Sequence, residues 1–208
     1  VDGRFSDGRE GRVDFVIGAG GRYLKTRGDI FPEAPKPEFT GQSVWRYNFD
    51  RPADTEGLHV YNGQIGVGLV PMSEQKIYMY VTTPEPGNPH FERSTLAEEM
   101  KARVKMACPT LHHFIDDITE NDGVVYRPLE WLMLEGDWHK GRIGLLGDAV
   151  HSTTPHLGQG AGLAIEDALV LADELSKASS PTEAFKRYRD RRFERCNYIV
   201  KKSLAICM

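Results

Sequence analysis

The chain has 208 residues, 40% of them hydrophobic and 27% charged, with a formal net charge of -4. That length allows one large domain or two small ones with a sizeable core, and the composition is ordinary for a globular protein. The acidic balance argues against a nucleic-acid partner, and no apolar run approaches the roughly 18 residues that a membrane-spanning helix needs.

Cys108, Cys196 and Cys207 form no CxxC pair and no metal-ligand spacing. An odd number of thiols with no secretory signal ahead of them predicts reduced, buried cysteines in a cytoplasmic compartment. The chain begins at Val1, and a fragment or processed chain is expected.

In chain order, Gly3 to Gly11 reads as punctuation around a short hairpin-like turn, and Val13–Ile17 as a buried strand running into Gly18-Ala19-Gly20-Gly21. Residues 29–40, with Pro32, Pro35 and Pro37, read as an irregular connector, because proline fixes φ and removes a donor. Four β-rich runs follow, Gln42–Phe49, Leu58–Tyr61, Ile65–Val70 and Lys76–Val81, with Asn62-Gly63 as a hairpin signal. They predict an antiparallel sheet. In the third run Gly66, Gly68 and Val70 share one face by the period of two, which leaves room for a ligand or a close backbone.

Ser94–Ala107 fits a helix capped by Ser94 or Thr95, with Leu96, Met100, Val104 and Ala107 at core spacing. His112-His113 and Asp116-Asp117 lack any further spacing that would make a metal site, and no metal is expected. Val124–Leu129 returns as a strand, and residues 131–134 continue its β-rich character. The helix expected from Ala161 to Leu175 places Glu166, Asp167, Asp173 and Glu174 on one narrow stripe and is otherwise apolar, so it reads as largely buried. In the last helix, begun by Pro181 with Ser180 as cap, Phe185, Tyr188, Cys196, Ile199 and Leu204 can form the inner side. Its arginines 187, 189, 191, 192 and 195 read as a solvated face.

The stretch from Arg142 to Ala168 carries the chemistry. A short apolar strand stops at Gly147-Asp148, crosses a loop closed by Pro155, and restarts as a helix through Gly158-Gln159-Gly160-Ala161-Gly162. A carboxylate at the carboxyl end of such a strand suits a sugar or ribityl hydroxyl. The free N–H groups and positive dipole end of the following helix favour an electron-rich oxygen, either a phosphate or a pyrimidine carbonyl.

Taken together, Gly147, Asp148, Ala149, His151, Pro155, Gly158, Gln159, Gly160, Glu166 and Asp167 make the chain similar to the class A FAD-dependent aromatic hydroxylases, the group of p-hydroxybenzoate, salicylate and urate hydroxylases. The resemblance implies FAD as cofactor, NAD(P)H and O2 as co-substrates, and a small aromatic or heteroaromatic substrate. It assigns cofactor contacts to Asp148, Pro155, Gly158, Gln159, Gly160, Ala161 and Gly21, and substrate contacts to Arg46, Tyr61 and Tyr78. A homodimer is allowed. His151 and His156 are open between proton traffic and loop-stabilising hydrogen bonds.

Two departures stand out. Gly20 replaces the family's aspartate in the Gly-Ala-Asp-Gly turn, and Leu24 replaces a frequent serine. No Gly-x-Gly-x-x-Gly unit for the adenosine half is present, so the resemblance covers only the latter part of such an enzyme. The implied fold class is α+β: an antiparallel substrate-domain sheet (29–139) flanked by parts of a Rossmann-like FAD-binding domain (1–28 and 140–208). The alternative is a non-catalytic substrate-binding or interaction module derived from such an enzyme.

Overall fold

The computed structural model describes residues 1–53 and 55–207. Its elements are β1 (Asp2–Arg4), β2 (Glu10–Arg12), β3 (Val16–Gly18), α1 (Lys25–Ile30), β4 (Glu38–Asp50), β5 (His59–Tyr61), β6 (Gly66–Pro71), β7 (Lys76–Pro84), α2 (Leu96–Met106), β8 (Val125–Trp131), β9 (His139–Lys140), β10 (Ile143–Leu145), α3 (Gly160–Lys177) and α4 (Pro181–Cys207). The fold class is α+β, and the chain divides into two compact units. One joins Val1–Thr40 to Glu130–Met208; the other is Gly41–Leu129. The connector at 29–40 and residues 130–139, expected with the sheet domain, pack instead with the first unit.

The second unit is organised by the five-stranded sheet β5-β6-β7-β4-β8. The antiparallel pairings β5·β6, β6·β7 and β4·β7 fix its faces, since directly paired residues share one face. Trp45, Tyr47, Phe49, Val67, Leu69, Ile77, Met79 and Val81 point one way, into a core closed by Ala97, Met100 and Val104 of α2 together with Leu111, Phe114 and Ile118. Each such large side chain taken fully out of water contributes about 1.5–3 kcal/mol before entropy is counted. Helix α2 starts two residues later than expected. Its cap is non-local: Asn121 Oδ1 accepts the Ala97 N–H at 2.8 Å, while the Thr95 hydroxyl turns back to Glu92 O.

The first unit holds the β1–β2 hairpin and a small sheet of order β3-β10-β9, in which β3 and β10 run parallel and β9 antiparallel. The strand expected at Val13–Ile17 is reduced to Val16–Gly18, and a short helix, α1, follows it where none was expected. Helix α4 lies close on the sheet at Gly144, where an added Cβ would stand 2.6 Å from the Phe185 ring.

Helix α3 departs from its sequence reading. The stripe that turns inward is Leu163, Asp167, Leu171 and Glu174, so two carboxylates are buried. Ile165 and Leu169 are 64% and 68% exposed, so the helix is not largely buried. The arginines of α4 keep an exposed face at 187, 191 and 195, as expected, but Arg192 departs from it and the exposed ones are ion-paired. Arg192 is buried, Arg191 pairs with Asp173 and Glu174, and Arg195 grips Glu166 through two 2.7 Å bonds. Ser203 rather than Leu204 joins Cys196 and Ile199 on the fully buried side of α4.

Candidate functional site

Strand β10 ends at Leu145, and the chain turns sharply through Gly147, Asp148 and Ala149. Gly147 has φ +63°, in the left-handed region, and the space over it is closed by the Ala164 side chain, so this position takes glycine on two grounds. The turn is held from beneath by one carboxylate. Asp167 Oδ2 accepts the Gly147 N–H at 2.9 Å and the His151 Nε2–H at 2.5 Å, and Oδ1 accepts the Arg192 Nε–H at 2.8 Å. His151 and Asp167 are 1% and 0% exposed.

Burial by itself would lower the basicity of His151, but the Asp167 carboxylate and nearby Cys196 outweigh it and raise its pKa from 6.5 to about 10. Burial alone would likewise raise Asp167; the His151 and Arg192 cations and the Gly147 N–H hold it below its ordinary value. His151 is therefore an imidazolium in an ion cluster. It makes the kind of hydrogen bond that the loop-stabilising alternative requires. His151, Asp167 and Cys196 also have the mutual spacing of a metal-ligand set. Both Asp167 oxygens are already used, however, and the Arg192 guanidinium opposes a cation there.

Further contacts fix the rest of the loop. Arg27, buried on α1, donates to Ala149 O at 3.0 Å. Leu132 and Leu134 N–H groups donate to Ser152 O and Val150 O, and Ser203 Oγ donates to Thr154 O. Beyond Thr154 the chain comes to the surface. Pro155 opens a one-turn 3₁₀ segment that ends at Gly158 with φ +62°, and Gln159 is the N-cap residue of α3. The Gln159 side chain makes no capping bond and the first turn of the helix holds no acid, while Gly158, Ala161 and Gly162 are exposed. The Asp148 side chain is half-buried, and no hydrogen bond or ion pair of its carboxylate occurs among the described residues.

The expected cofactor residues Asp148, Pro155, Gly158, Gln159, Gly160 and Ala161 thus lie on one continuous turn-loop-helix segment. Gly21, with φ +81°, sits in the turn after β3. That turn leaves the sheet next to the first one, since the Leu146 N–H donates to Gly18 O at 3.2 Å. A cavity of about 640 Å³ lined by residues 30–36 and 131–137 lies elsewhere in this unit and contains none of these residues.

The expected substrate residues separate. Arg46 pairs with Tyr80, and Tyr78 with Asn48, all on the sheet face opposite the α2 core. Tyr61 pairs with Val67 on the core face and packs against that core, so it does not join Arg46 and Tyr78. The space over Gly68 is filled by the Tyr80 ring, and that over Gly66 by the Thr82 hydroxyl, rather than left for a ligand.

Arg27, Asp167 and Arg192 were not assigned their holding roles from the sequence, whereas a loop-stabilising role for His151 was one of its two alternatives. One signal was present: Asp167 and Glu174 share a helical stripe with Leu163 and Leu171, which marks a carboxylate carried inward.

Comparison with known proteins places this arrangement. Residues 2–203 match the family described as FAD binding domain. The chain is 32% identical over 211 residues to aurachin C monooxygenase/isomerase of Stigmatella aurantiaca, covering 98% of this chain and 53% of that protein. It is 29% identical over 213 residues to an FAD-dependent urate hydroxylase of Klebsiella oxytoca, covering 98% and 54%. The crystal structure of Klebsiella pneumoniae HpxO complexed with FAD and uric acid superposes with a TM-score of 0.86 at 26% identity, covering 98% of this chain and 53% of that one. The chain spans about half the length of the curated relatives it matches.

Proposed function

We propose that this chain, which belongs to the FAD binding domain family, forms the part of a flavin site that holds the isoalloxazine ring and ribityl chain. In this reading it serves an FAD-dependent hydroxylation of a small aromatic or heteroaromatic substrate. The observation that carries the reading is an Asp148 carboxylate with no partner among the described residues, on the same turn-loop-helix segment as a helix start whose Gln159 N-cap makes no side-chain bond and whose first turn holds no acid. When bound, FAD would supply the redox chemistry, passing electrons from NAD(P)H to O2 so that one oxygen atom enters the ring and the other leaves as water.

The residues present fit that cofactor. Asp148 accepts a ribityl hydroxyl, while the amides at Gly160 and Ala161, backed by the α3 dipole, face a pyrimidine carbonyl. Gly158 and Gln159 shape the backbone approach, Pro155 walls the loop, and Gly21 lines the adjoining turn. Their task is to bind and orient. His151 is locked beneath the loop and takes no part in proton transfer.

For the substrate, Arg46 and Tyr78 on the non-core face of the five-stranded sheet are the proposed contacts, with Arg46 gripping a carboxylate or other anionic group. Relatives that act on urate or on 6-hydroxynicotinate support a heteroaromatic acid. Among the described residues no helix is long and apolar enough to cross a membrane. Action in the cytoplasm and assembly as a homodimer belong to the same reading, the latter checked by light scattering.

The test is a flavin titration of the purified chain followed by absorbance and fluorescence. FAD uptake is expected. Asp148→Ala should weaken it roughly ten- to a hundredfold, the size of a lost hydrogen bond to a charged group. A chain that takes up no flavin, or an Asp148→Ala variant of unchanged affinity, overturns the assignment. The glycine at position 20 favours the second reading, a non-catalytic module, which predicts a colourless protein that binds an aromatic acid and consumes no NAD(P)H.

A further inference from the structure

The turns that follow β3 and β10 leave the carboxyl ends of two adjacent parallel strands, where open α/β sheets take their ligands. After β10 the turn offers Asp148. After β3 it offers Gly18, Ala19, Gly20 and Gly21, with no polar side chain until Arg22, which is engaged by Glu130.

Leu24 explains why. Its N–H donates to Gly21 O at 3.1 Å, which folds the residue back over the turn. A Cβ built on Gly20 would stand 2.6 Å from Leu24 Cδ1, and one built on Gly18 would stand 2.7 Å from both Leu24 Cδ2 and Leu145 Cδ2. Real Cβ atoms essentially never come that close to another heavy atom. The end of a leucine can ordinarily swing aside. Here its second methyl lies over Gly18 with Leu145, and the partly buried side chain packs against the apolar cluster of this unit.

We propose that Leu24 is an apolar plug that determines what the turn after β3 can present to a bound dinucleotide. While leucine occupies position 24, a side chain at position 20 must displace it from its packing, and the ligand is gripped by a polar group only from the Asp148 side. The two positions then act as one coupled determinant of cofactor affinity: an acidic group at 20 becomes usable only when residue 24 is shortened. This rests on the flavin reading above.

A double-substitution cycle tests it on the 208-residue chain, with the wild type, Gly20→Asp, Leu24→Ser and the double variant compared by thermal unfolding and by FAD titration. Gly20→Asp alone should lower the unfolding midpoint by roughly 2–6 °C from local overpacking and should not tighten FAD binding. In the Leu24→Ser background the same substitution should lower the midpoint by much less and tighten FAD about tenfold.

If Gly20→Asp prevents folding, Gly20→Ala, which adds only the Cβ, gives the same midpoint comparison. Equal midpoint losses in both backgrounds overturn the plug. Coupled midpoints without any gain in FAD affinity overturn its role toward the ligand. A wild-type chain that binds no FAD sinks the flavin reading instead, and the midpoint cycle still decides whether Leu24 excludes a side chain at position 20.

Discussion

The two turns at the ends of β3 and β10 are neighbours in the same sheet, yet they are built on opposite principles. The Gly147 turn is supported by charge: Asp167 takes a backbone N–H, an imidazolium and a guanidinium on one buried carboxylate, and leaves Asp148 unengaged above. The Gly18–Gly21 turn is covered over Gly18 and Gly20 by the Leu24 hydrocarbon and carries no polar side chain of its own. A buried charge fixes direction and spacing through several hydrogen bonds at once, so it can hold a second acid in a set place. An apolar plug fixes only volume. The difference shows how one sheet edge can be polar toward a ligand at one turn and inert at the next.

The comparison is broken most severely at Asp167. Asp167→Ala leaves the buried His151 cation without its counter-charge and Arg192 with Glu166 alone, and should cost about 3–5 kcal/mol in denaturant unfolding. A loss below 1 kcal/mol would show that the cluster does not support the turn. The same cluster sets a pH dependence. His151 is raised to about 10 from 6.5, so its stabilisation is complete below pH 6.5 and is lost as pH rises through 10. Asp167 is lowered, so its share is present above its ordinary value of 3.8 and is lost as pH falls through the depressed one. Unfolding free energy should therefore fall on the alkaline side between these His151 values, and His151→Gln should flatten that limb. An unchanged limb in the variant would assign the fall to other groups.

Gly147→Ala is expected to cost about 1–2 kcal/mol from the left-handed backbone alone, with a further loss from contact with Ala164, again read by unfolding. The smallest effect belongs to the outward side of α3. Ile165→Gln should change stability by less than about 0.5 kcal/mol, because that side chain is mostly exposed. A larger loss would mean that the exposed apolar side of α3 is covered in solution.

Sheet and helix positions were largely legible because their periodicities are local. The run that became β7 and the second half of β4 alternate in burial, and the Asn62-Gly63 turn falls between β5 and β6. Tyr61 could not be assigned to a face from its own short run; only its pairing with Val67 does so. Arg192 looks like its solvated neighbours in an arginine-rich helix, and the carboxylate that takes it inward lies 25 residues earlier.

From the sequence alone came the strand, the Gly-Asp stop, the proline-closed loop and the glycine-started helix, because backbone rules and side-chain chemistry act over a few residues. Which acids lie inside, which face of the sheet each aromatic joins, and whether position 20 has room for a side chain were decided only in three dimensions. Those outcomes depend on groups far apart in the chain competing for the same space and the same counter-charge.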